Sequence, residues 1–454
     1  MKNYLPYQQH TMTLAKERLD RERACLIAAD PGLGKTAMAL GIAKDRGYQK
    51  VLVVCPASVL GVWPMELSDW WPEAPVTVLT GPLKRRAAQL AEIPRGIVVT
   101  NYEALVPLEE ALIAWHPDAI IADECHRLKA WQGKTAESAA VIARVCRVER
   151  IGLSGTPTPN GPIDALGLYR FLNPKIFGTS ITTFRQNFCI MNRYIPKKID
   201  GYKNMAEFKA RFHRLAIVIE KAAVQKDLPE KITKVIPVTL PARVRKIYDD
   251  LQDNLMAELE DGKTVTTPDA LSRLLRLSQL TGGFLEGEPL HTAKLDVLSG
   301  RLEDHLADPS KKVVVFARFR PEIDAIAHRV DQLGYGFSVI DGRTAIEERA
   351  DIVRAFQEDK AVRVIIGQLQ AMAEGVTLTA AHTMLYYSLD YSEARHAQSK
   401  DRIHRIGQSE TCLYEYLIAT DTVDQAVMRC LDKKRDLSRE ILSLRKQGEL
   451  SQKP

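Results

Sequence analysis

The chain has 454 residues, enough for two or three domains with large apolar cores. It is 45% apolar and 26% charged, as ordinary globular proteins are, and its net charge of +6 permits a polyanionic partner without requiring one. The seven cysteines occur singly and no apolar run reaches 18 residues, so neither a disulfide framework, a zinc site nor a membrane span is predicted. We therefore expect a protein of a reducing, cytoplasmic compartment.

Short apolar runs bounded by turn residues predict buried parallel strands. They lie at 25–29, 51–55, 97–100, 119–123, 150–154, 312–317, 336–341, 362–367 and 383–388. Helix-length stretches between them predict β-α-β units, whereas the stretch from about 160 to 295 carries long helical patterns and few strand signals. We predict an α/β chain with lobes at 1–160 and 291–430, helical insertions and a linker at 161–290, and a C-terminal helix at 431–454.

The segment ADPGLGKT, residues 29–36, follows the first predicted strand and precedes an apolar helical pattern. That context is typical of a phosphate-binding loop. Gly32 and Gly34 would let backbone N–H groups approach the phosphates, Lys35 would reach the β- and γ-phosphates, and the Thr36 hydroxyl would hold Mg²⁺. The strict pattern has glycine where this chain has Ala29, so a glycine-rich turn with an incidental lysine is the alternative.

The segment IIADECH, residues 120–126, ends a strand in two carboxylates. Asp123 would hold Mg²⁺ and Glu124 would polarise the attacking water. An acidic pair after a strand is weak evidence alone, because acids favour helix starts. Together with the upstream loop it predicts a site that hydrolyses a nucleoside triphosphate.

Two further segments carry polar groups whose role is less specific. In LSGTPTPN (153–160), Ser154 and Thr156 could couple the state of the nucleotide to movement between lobes, or could belong to a plain turn. In RIHRIGQ (402–408), Arg402 and Arg405 have a spacing that predicts one helix face. An isolated pair of this kind is more often a solvated charged surface.

The ordered set of motifs resembles the Swi/Snf-type ATPases of helicase superfamily 2 across nearly the whole chain. The motifs are LPYQQ (5–9), DPGLGKT (30–36), VCPASVLGVWPMEL (54–67), VVTNYE (98–103), DECH (123–126), SGTPTPN (154–160), VVVFARF (313–319), DGRTAIEER (341–349), EGVTLTAA (374–381) and QSKDRIHRIGQ (398–408). The resemblance implies two RecA-like lobes with ATP in the cleft between them. It also implies adenine recognition by Gln8 and arginine fingers at Arg402 and Arg405, which would stabilise charge on the γ-phosphoryl group.

The resemblance further implies that both lobes grip the backbone of duplex DNA, through contacts that position without reading sequence. The matching residues are Trp63, Thr100, Asn101, Arg318, Arg320 and Thr377. Two of them have plain alternatives, since Trp63 could belong to the core and Arg320 could be a solvated surface residue.

Some segments depart from the usual family pattern. Val218 and Ile219 stand where the family commonly has a basic pair. The turn AMAEGVTL is closer to the annealing-helicase branch than to nucleosome remodellers. The 46 residues after Gln408 leave little room for an accessory domain, so a bacterial or viral origin is our hypothesis.

We expect a monomeric DNA-dependent ATPase that moves on double-stranded or branched DNA, binds ATP and Mg²⁺, and does not act at a membrane. A strand-separating helicase, an RNA-dependent ATPase and a non-catalytic scaffold are the alternatives. The sequence indicates no aromatic wedge hairpin between the motifs. The basic stretch MNRYIPKKIDGYK (191–203) could be an extra DNA contact or a mobile surface loop.

Overall fold

The computed structural model describes residues 3–195, 197–224, 229–260, 268–372, 376–405 and 408–433. Contacts divide the chain into two compact units, Met1–Lys226 and Asp227–Pro454, which we call unit 1 and unit 2. Among the described residues, none of the helices combines the length and apolarity that crossing a bilayer demands.

Unit 1 is built on a seven-stranded, wholly parallel sheet with the order β3-β4-β2-β5-β6-β1-β9. Its elements are α1 Pro6–Glu22, β1 Ala24–Ala29, α2 Lys35–Asp45, β2 Lys50–Cys55, α3 Val62–Trp70, β3 Val76–Val78, α4 Leu83–Ala91, β4 Gly96–Asn101, α5 Glu109–Trp115, β5 Ala119–Asp123, α6 Lys134–Val145, β6 Glu149–Ser154, α7 Asp164–Leu172, α8 Pro174–Phe177, α9 Ile181–Phe188, β7 Cys189–Met191, β8 Ile199–Tyr202, α10 Met205–Phe212, β9 Ala216–Ile219 and α11 Lys221–Val224. The central strands are buried on both faces, which is why their sequences are continuously apolar.

Unit 2 contains a six-stranded parallel sheet with the order β10-β17-β16-β13-β15-β14. Its elements are β10 Lys231–Val238, α12 Ala242–Glu260, α13 Pro268–Gly282, β11 Phe284–Leu285, β12 Glu288–Pro289, α14 Ala293–Leu306, β13 Val313–Ala317, α15 Arg320–Gln332, β14 Gly336–Ile340, α16 Ile346–Glu358, β15 Val362–Gln368, α17 Leu369–Met372, β16 Thr383–Tyr386, α18 Glu393–Lys400, β17 Cys412–Ala419 and α19 Val423–Lys433. Apolar side chains on the two faces of this sheet form separate core layers.

The predicted α/β class with two parallel sheets is confirmed, and all nine predicted strands are present. The stretch 161–290, predicted as helical insertions and a linker, also supplies β9 to the first sheet and β10 to the second, so the contacts divide the chain near residue 226 rather than at 160 or 290. Both strands lie at sheet edges. β9 is apolar but only four residues long, and β10 is largely exposed and mixes polar with apolar residues, so neither gives a clear strand signal. The predicted C-terminal helix at 431–454 lies almost entirely outside the described residues.

The stretch 191–203 is neither a plain loop nor a helix. It contains most of an antiparallel hairpin formed by β7 and β8, in which Cys189 pairs with Tyr202 and Ile190 pairs with Gly201. The sequence does not indicate this hairpin, because the two strands are too short to give a strand signal. Tyr194 lies in the connection and is 90% exposed, so the hairpin presents an aromatic side chain at the surface.

Candidate active site

The phosphate-binding loop lies at the carboxyl end of β1 and opens α2. Gly32 and Gly34 have φ angles of 85° and 74°, in the left-handed region that glycine adopts without strain. Lys35 is the first residue of α2, and its Nζ donates hydrogen bonds to the carbonyl oxygens of Ala29 (2.8 Å) and Asp30 (3.5 Å). Thr36 is partly exposed in the same first turn. The lysine side chain therefore hydrogen-bonds the carbonyl groups at the start of its own loop.

The two predicted carboxylates lie at the carboxyl end of β5, which is separated from β1 in the sheet only by β6. The Asp123 Oδ1 accepts a hydrogen bond from the backbone N–H of Glu124 at 3.0 Å. Burial, and next the negative charge of Glu124, raise the pKa of Asp123, while the charge of Lys35 and a hydrogen bond from Trp63 oppose the rise. The positive charge of Lys35 therefore lies close enough to Asp123 to stabilise its carboxylate, as expected where a loop lysine and an acidic residue share one phosphate site.

Glu124 has a left-handed backbone, with a φ of 48°. A non-glycine residue in this region costs about 1–2 kcal/mol, and such outliers concentrate at functional sites. The Oε2 of Glu124 lies 3.2 Å from the Nδ1 of His126, and the same Nδ1 lies 3.1 Å from the Ser154 hydroxyl. Glu124, His126 and Ser154 therefore form one polar network.

Ser154 and Thr156, predicted to report the state of the nucleotide, occupy different environments. Ser154 is fully buried at the end of β6, where its Oγ also accepts a hydrogen bond from the Thr156 backbone N–H at 3.2 Å. The Thr156 side chain is exposed. The residue that sequence reasoning missed is His126, although it stands two positions after Glu124 in the quoted motif.

Gln8, predicted to recognise adenine, lies in α1 against the phosphate-binding loop. Its Nε2 donates to the Leu33 carbonyl at 3.2 Å, and its Oε1 accepts from the Leu5 backbone N–H at 2.9 Å. A Cβ atom built on Gly34 would lie 2.5 Å from this Nε2, so a larger residue there would displace the Gln8 amide in addition to straining the backbone. The side chain is 3% exposed and joins the first motif to the loop.

Arg402 and Arg405 do not share a helix face, because α18 ends at Lys400 and both residues follow in consecutive turns. That prediction was wrong. The segment is instead bonded to the chain around Leu378, whose N–H donates to the Arg402 carbonyl at 2.9 Å. Both guanidinium groups nevertheless converge on the same backbone oxygen.

The Nη1 atoms of Arg402 and Arg405 lie 3.2 Å and 3.5 Å from the Val376 carbonyl oxygen. Arg405 also donates to the Thr377 hydroxyl at 2.7 Å. Two guanidinium groups within hydrogen-bond distance of one carbonyl oxygen place two positive charges close together, which suits an anionic ligand. Ile406 and Gly407 of this motif lie outside the described residues.

The residues predicted to contact DNA fall into two sets. Trp63 and Thr100 are 1% and 0% exposed. This burial contradicts direct contact with a DNA backbone, and Trp63 instead bonds Asp123. Their motifs looked like surface contacts because sequence does not reveal which way a strand or helix residue points.

The other four residues are accessible to different degrees. Arg320 is exposed, and Asn101, Arg318 and Thr377 are partly exposed. Asn101 accepts a hydrogen bond from Arg86 at 3.0 Å. The Arg318 guanidinium lies 4.0 Å from the ring centroid of Tyr391, a cation–π contact that fixes its orientation.

Comparison with known proteins matches two domain families to this chain. The SNF2-related domain family matches residues 7–281, and the helicase conserved C-terminal domain family matches residues 293–407. A SWI/SNF-related matrix-associated actin-dependent regulator of chromatin subfamily A-like protein 1 homolog from Caenorhabditis elegans is 30% identical over 95% of this chain and 61% of its own length. The DNA annealing helicase and endonuclease ZRANB3 of Bos taurus is 28% identical over 98% of this chain and 41% of its own.

Among solved structures, the SWI2/SNF2 ATPase core of Sulfolobus solfataricus in complex with dsDNA is 25% identical, with a TM-score of 0.45, over 97% of this chain and 93% of that one. The chain spans only about half the length of the curated relatives named above. Since the first family covers more than half of the chain, the protein belongs to the SNF2-related family and carries a helicase conserved C-terminal domain after it.

Proposed function

We propose that this protein is a DNA-dependent ATPase that moves along double-stranded DNA and remodels DNA or protein–DNA complexes without extensive strand separation. The observation that carries the proposal is the single network in unit 1 that joins the phosphate-binding loop to Asp123, Glu124, His126 and Ser154. Membership of the SNF2-related family supports DNA as the polymer on which the protein acts.

In unit 1, the chain's own groups would prepare ATP for hydrolysis. The first turn of α2 would offer backbone N–H groups to the phosphates, and Lys35 would leave the Ala29 carbonyl to contact them. Glu124, oriented by His126, would hold the attacking water and accept its proton. Gln8 would offer adenine the amide hydrogen that the Leu33 carbonyl does not use.

Mg²⁺ fits the donor set of the same site. Hydroxyl and carboxylate oxygens, as offered by Thr36 and Asp123, are the ligands that this ion prefers. Burial and the adjacent charge of Glu124 disfavour the ionised form of Asp123 and raise its pKa, and a bound cation would offset that penalty. When bound, Mg²⁺ would neutralise charge on the phosphates.

From unit 2, Arg402 and Arg405 would act as arginine fingers on the γ-phosphoryl group. The proposal is supported by the convergence of the two guanidinium groups on the Val376 carbonyl, which concentrates positive charge at one place in unit 2. Thr377, Arg318, Arg320 and the Asn101 amide of unit 1 remain our candidates for phosphate contacts of DNA.

The oligomeric state, the form of DNA and the cellular location are part of the same proposal. We expect a monomeric motor that acts on double-stranded or branched DNA in the cytoplasm of a bacterium or a virus-infected cell. A relative named as an ATP-dependent helicase from Mycoplasma pneumoniae, 24% identical over 95% of this chain, supports the bacterial setting.

A triplex-displacement assay tests movement directly. The full chain, ATP and Mg²⁺ are added to a duplex that carries a fluorescent third strand, and release of that strand is followed. ATP-dependent release is expected from the wild type and not from Glu124→Gln. A tailed duplex run in parallel reports strand separation, and efficient unwinding of it without triplex release would replace the translocase with a strand-separating helicase.

A further inference from the structure

The β7–β8 hairpin of unit 1 projects apolar side chains into solvent. Tyr194 is 90% exposed, and Ile195 and Ile190 are 51% and 50% exposed. A large aromatic side chain on a surface is often a binding group, because its burial against a partner releases water from apolar area. None of the motifs used above includes this hairpin.

Asn192 fixes the first residues that follow β7, up to Ile195. Its Oδ1 accepts hydrogen bonds from the backbone N–H groups of Tyr194 (2.8 Å) and Ile195 (2.7 Å), which is the geometry of an Asx turn. Its Nδ2 donates to the Asp200 carboxylate at 2.8 Å, and its N–H donates to the Lys198 carbonyl at 2.9 Å. Tyr194 is therefore exposed because the turn presents it.

The charge around Tyr194 is strongly positive. Between residues 181 and 203 the basic side chains are Arg185, Arg193, Lys197, Lys198 and Lys203, against the single carboxylate of Asp200. Among the described residues, none of these five forms an ion pair, whereas nearby Arg170, Arg211 and Arg214 all do. Unpaired cations beside an exposed aromatic ring are typical of surfaces that bind nucleic acid.

A concavity of about 540 Å³ lies beside the hairpin. Arg185, Gln186, Ile190, Met191 and Lys203 contribute to its lining. The Nε of Arg185 is buried and has no hydrogen-bond partner among the described residues. A buried guanidinium N–H without a partner is costly, and an incoming phosphate oxygen would satisfy it.

The hairpin is also tied to the candidate active site within unit 1. Tyr202 of β8 packs on Gly161, and its hydroxyl lies 3.5 Å from the Asn160 carbonyl. Asn160 ends the segment that begins at Ser154, whose hydroxyl contacts His126 beside Glu124. A displacement of the hairpin on DNA binding would therefore be passed through residues 154–160 to His126, which contacts Glu124.

We propose that the β7–β8 hairpin binds unpaired nucleotides at a branch in DNA, with Tyr194 stacking on a base and Arg193, Lys197 and Lys198 contacting the phosphates of that strand. The tyrosine ring selects unpaired nucleotides, because in a duplex the faces of the bases are covered by their neighbours. This inference rests on the proposed function, since it specifies which form of DNA the same motor prefers.

The test uses the full chain and a forked DNA with 2-aminopurine at the first unpaired position. Stacking by Tyr194 should quench the 2-aminopurine fluorescence, and ATP is not required. Tyr194→Ala should abolish the quench and weaken fork binding about tenfold, whereas Tyr194→Phe, which keeps the ring, should behave as wild type. Affinity for linear duplex should change less than twofold in both variants.

A double variant tests the contribution of the positive charges to DNA binding. Lys197→Ala with Lys198→Ala should weaken fork binding and make its logarithmic salt dependence shallower by about one to two. Lys175→Ala, at an exposed lysine of α8 outside the hairpin, is the control.

Equal quench and equal fork affinity in wild type and Tyr194→Ala would overturn the hairpin proposal, as would equal losses on fork and linear duplex. If the hairpin instead docked an acidic protein, these variants would leave all DNA binding intact, which also overturns it. A wild type that quenches 2-aminopurine but shows no DNA-stimulated ATP hydrolysis would sustain the hairpin and refute the proposed function.

Discussion

Units 1 and 2 are both built on parallel sheets, yet they hold their functional charges differently. In unit 1, Asp123 and Glu124 sit side by side, and burial and mutual repulsion raise the pKa of Asp123. In unit 2, Arg402 and Arg405 both donate hydrogen bonds to the Val376 carbonyl, and Arg405 also donates to the Thr377 hydroxyl. Unit 1 thus concentrates negative charge near Lys35 of the phosphate-binding loop, and unit 2 concentrates positive charge around Val376 and Thr377.

The comparison explains why neither unit alone would be expected to hydrolyse ATP quickly. In the proposed mechanism, unit 1 would bind the phosphates and orient water, and Arg402 and Arg405 of unit 2 would stabilise charge in the transition state. Such a division would make hydrolysis depend on both units, which is how an ATPase can be coupled to movement. Four substitutions, in order of expected effect, test this contrast.

Glu124→Gln should lower the turnover of ATP about a thousandfold, because an amide cannot accept a proton from water. ATP binding should be kept, since the loop and Lys35 are unchanged. Hydrolysis and nucleotide affinity are measured separately, by phosphate release and by fluorescent-nucleotide titration. Glu110→Gln, at the exposed start of α5, is the control, and a Glu124→Gln enzyme with more than a tenth of wild-type turnover would remove Glu124 from its role.

Arg405→Ala should lower turnover about a hundredfold, less than a full finger effect because Arg402 remains. ATP affinity should change little. Because Arg405 also bonds Thr377, the melting temperature is measured alongside, with the exposed Arg354→Ala as control. Wild-type turnover in the presence of DNA would show that Arg405 is a structural residue only.

Glu415→Gln tests a charge that unit 2 does compensate internally. Burial alone would raise the pKa of Glu415, but hydrogen bonds from His305 and Arg301 lower it to about 2. A carboxyl whose pKa is lower in the folded than in the unfolded chain, where it is about 4.3, stabilises the fold above pH 4.3 and loses this effect as the pH falls toward 2. The variant should cost about 2 kcal/mol at pH 7, and the difference should shrink in that acid range.

The measurement for Glu415→Gln is urea unfolding followed in two ways. All five tryptophans lie in unit 1, at 63, 70, 71, 115 and 131, so their fluorescence reports that unit, whereas circular dichroism reports both. The variant should shift part of the dichroism transition to lower urea and leave the fluorescence midpoint in place. A constant difference between variant and wild type from pH 7 to pH 2.5 would contradict the argument, and exposed Glu303→Gln is the control.

Ser154→Ala should have the smallest effect. It removes one hydrogen-bond partner of His126, worth about 1 kcal/mol, so turnover should fall about fivefold. The loss should be larger with DNA than without, if the segment after Ser154 carries information from the hairpin. Ser68→Ala, on the exposed side of α3, serves as control, and a uniform loss with and without DNA would limit Ser154 to positioning His126.

The sequence predicts the central strands and the phosphate-binding loop well, since continuous apolar runs and the Gly-Lys-Thr ending have local causes. Among the strands of the two parallel sheets, it does not predict β3, β9, β10 or β17. The first three are edge strands, and Glu415 interrupts the apolar run of β17, although its charge is met by Arg301 and His305. Such compensation comes from distant residues and leaves no local pattern.

Side-chain direction is the second limit. Trp63 and Thr100 belong to motifs that the resemblance assigns to DNA contact, but both point inward. The turn conformation of residues 401–405 was hidden for a similar reason, because the hydrogen bond to the Arg402 carbonyl comes from Leu378, which is distant in sequence. The contact of His126 with Ser154 could not be predicted either, because it depends on the pairing of β5 with β6.

The most direct test of the account is steady-state ATP hydrolysis by the full chain, measured with no nucleic acid, single-stranded DNA, linear duplex, forked duplex and RNA, with Glu124→Gln as the blank. We predict strong stimulation by linear duplex, more by forks and little by RNA. A rate that stays at the level of the blank with every nucleic acid would contradict the proposed DNA-dependent ATPase, and the scaffold would then be the better description.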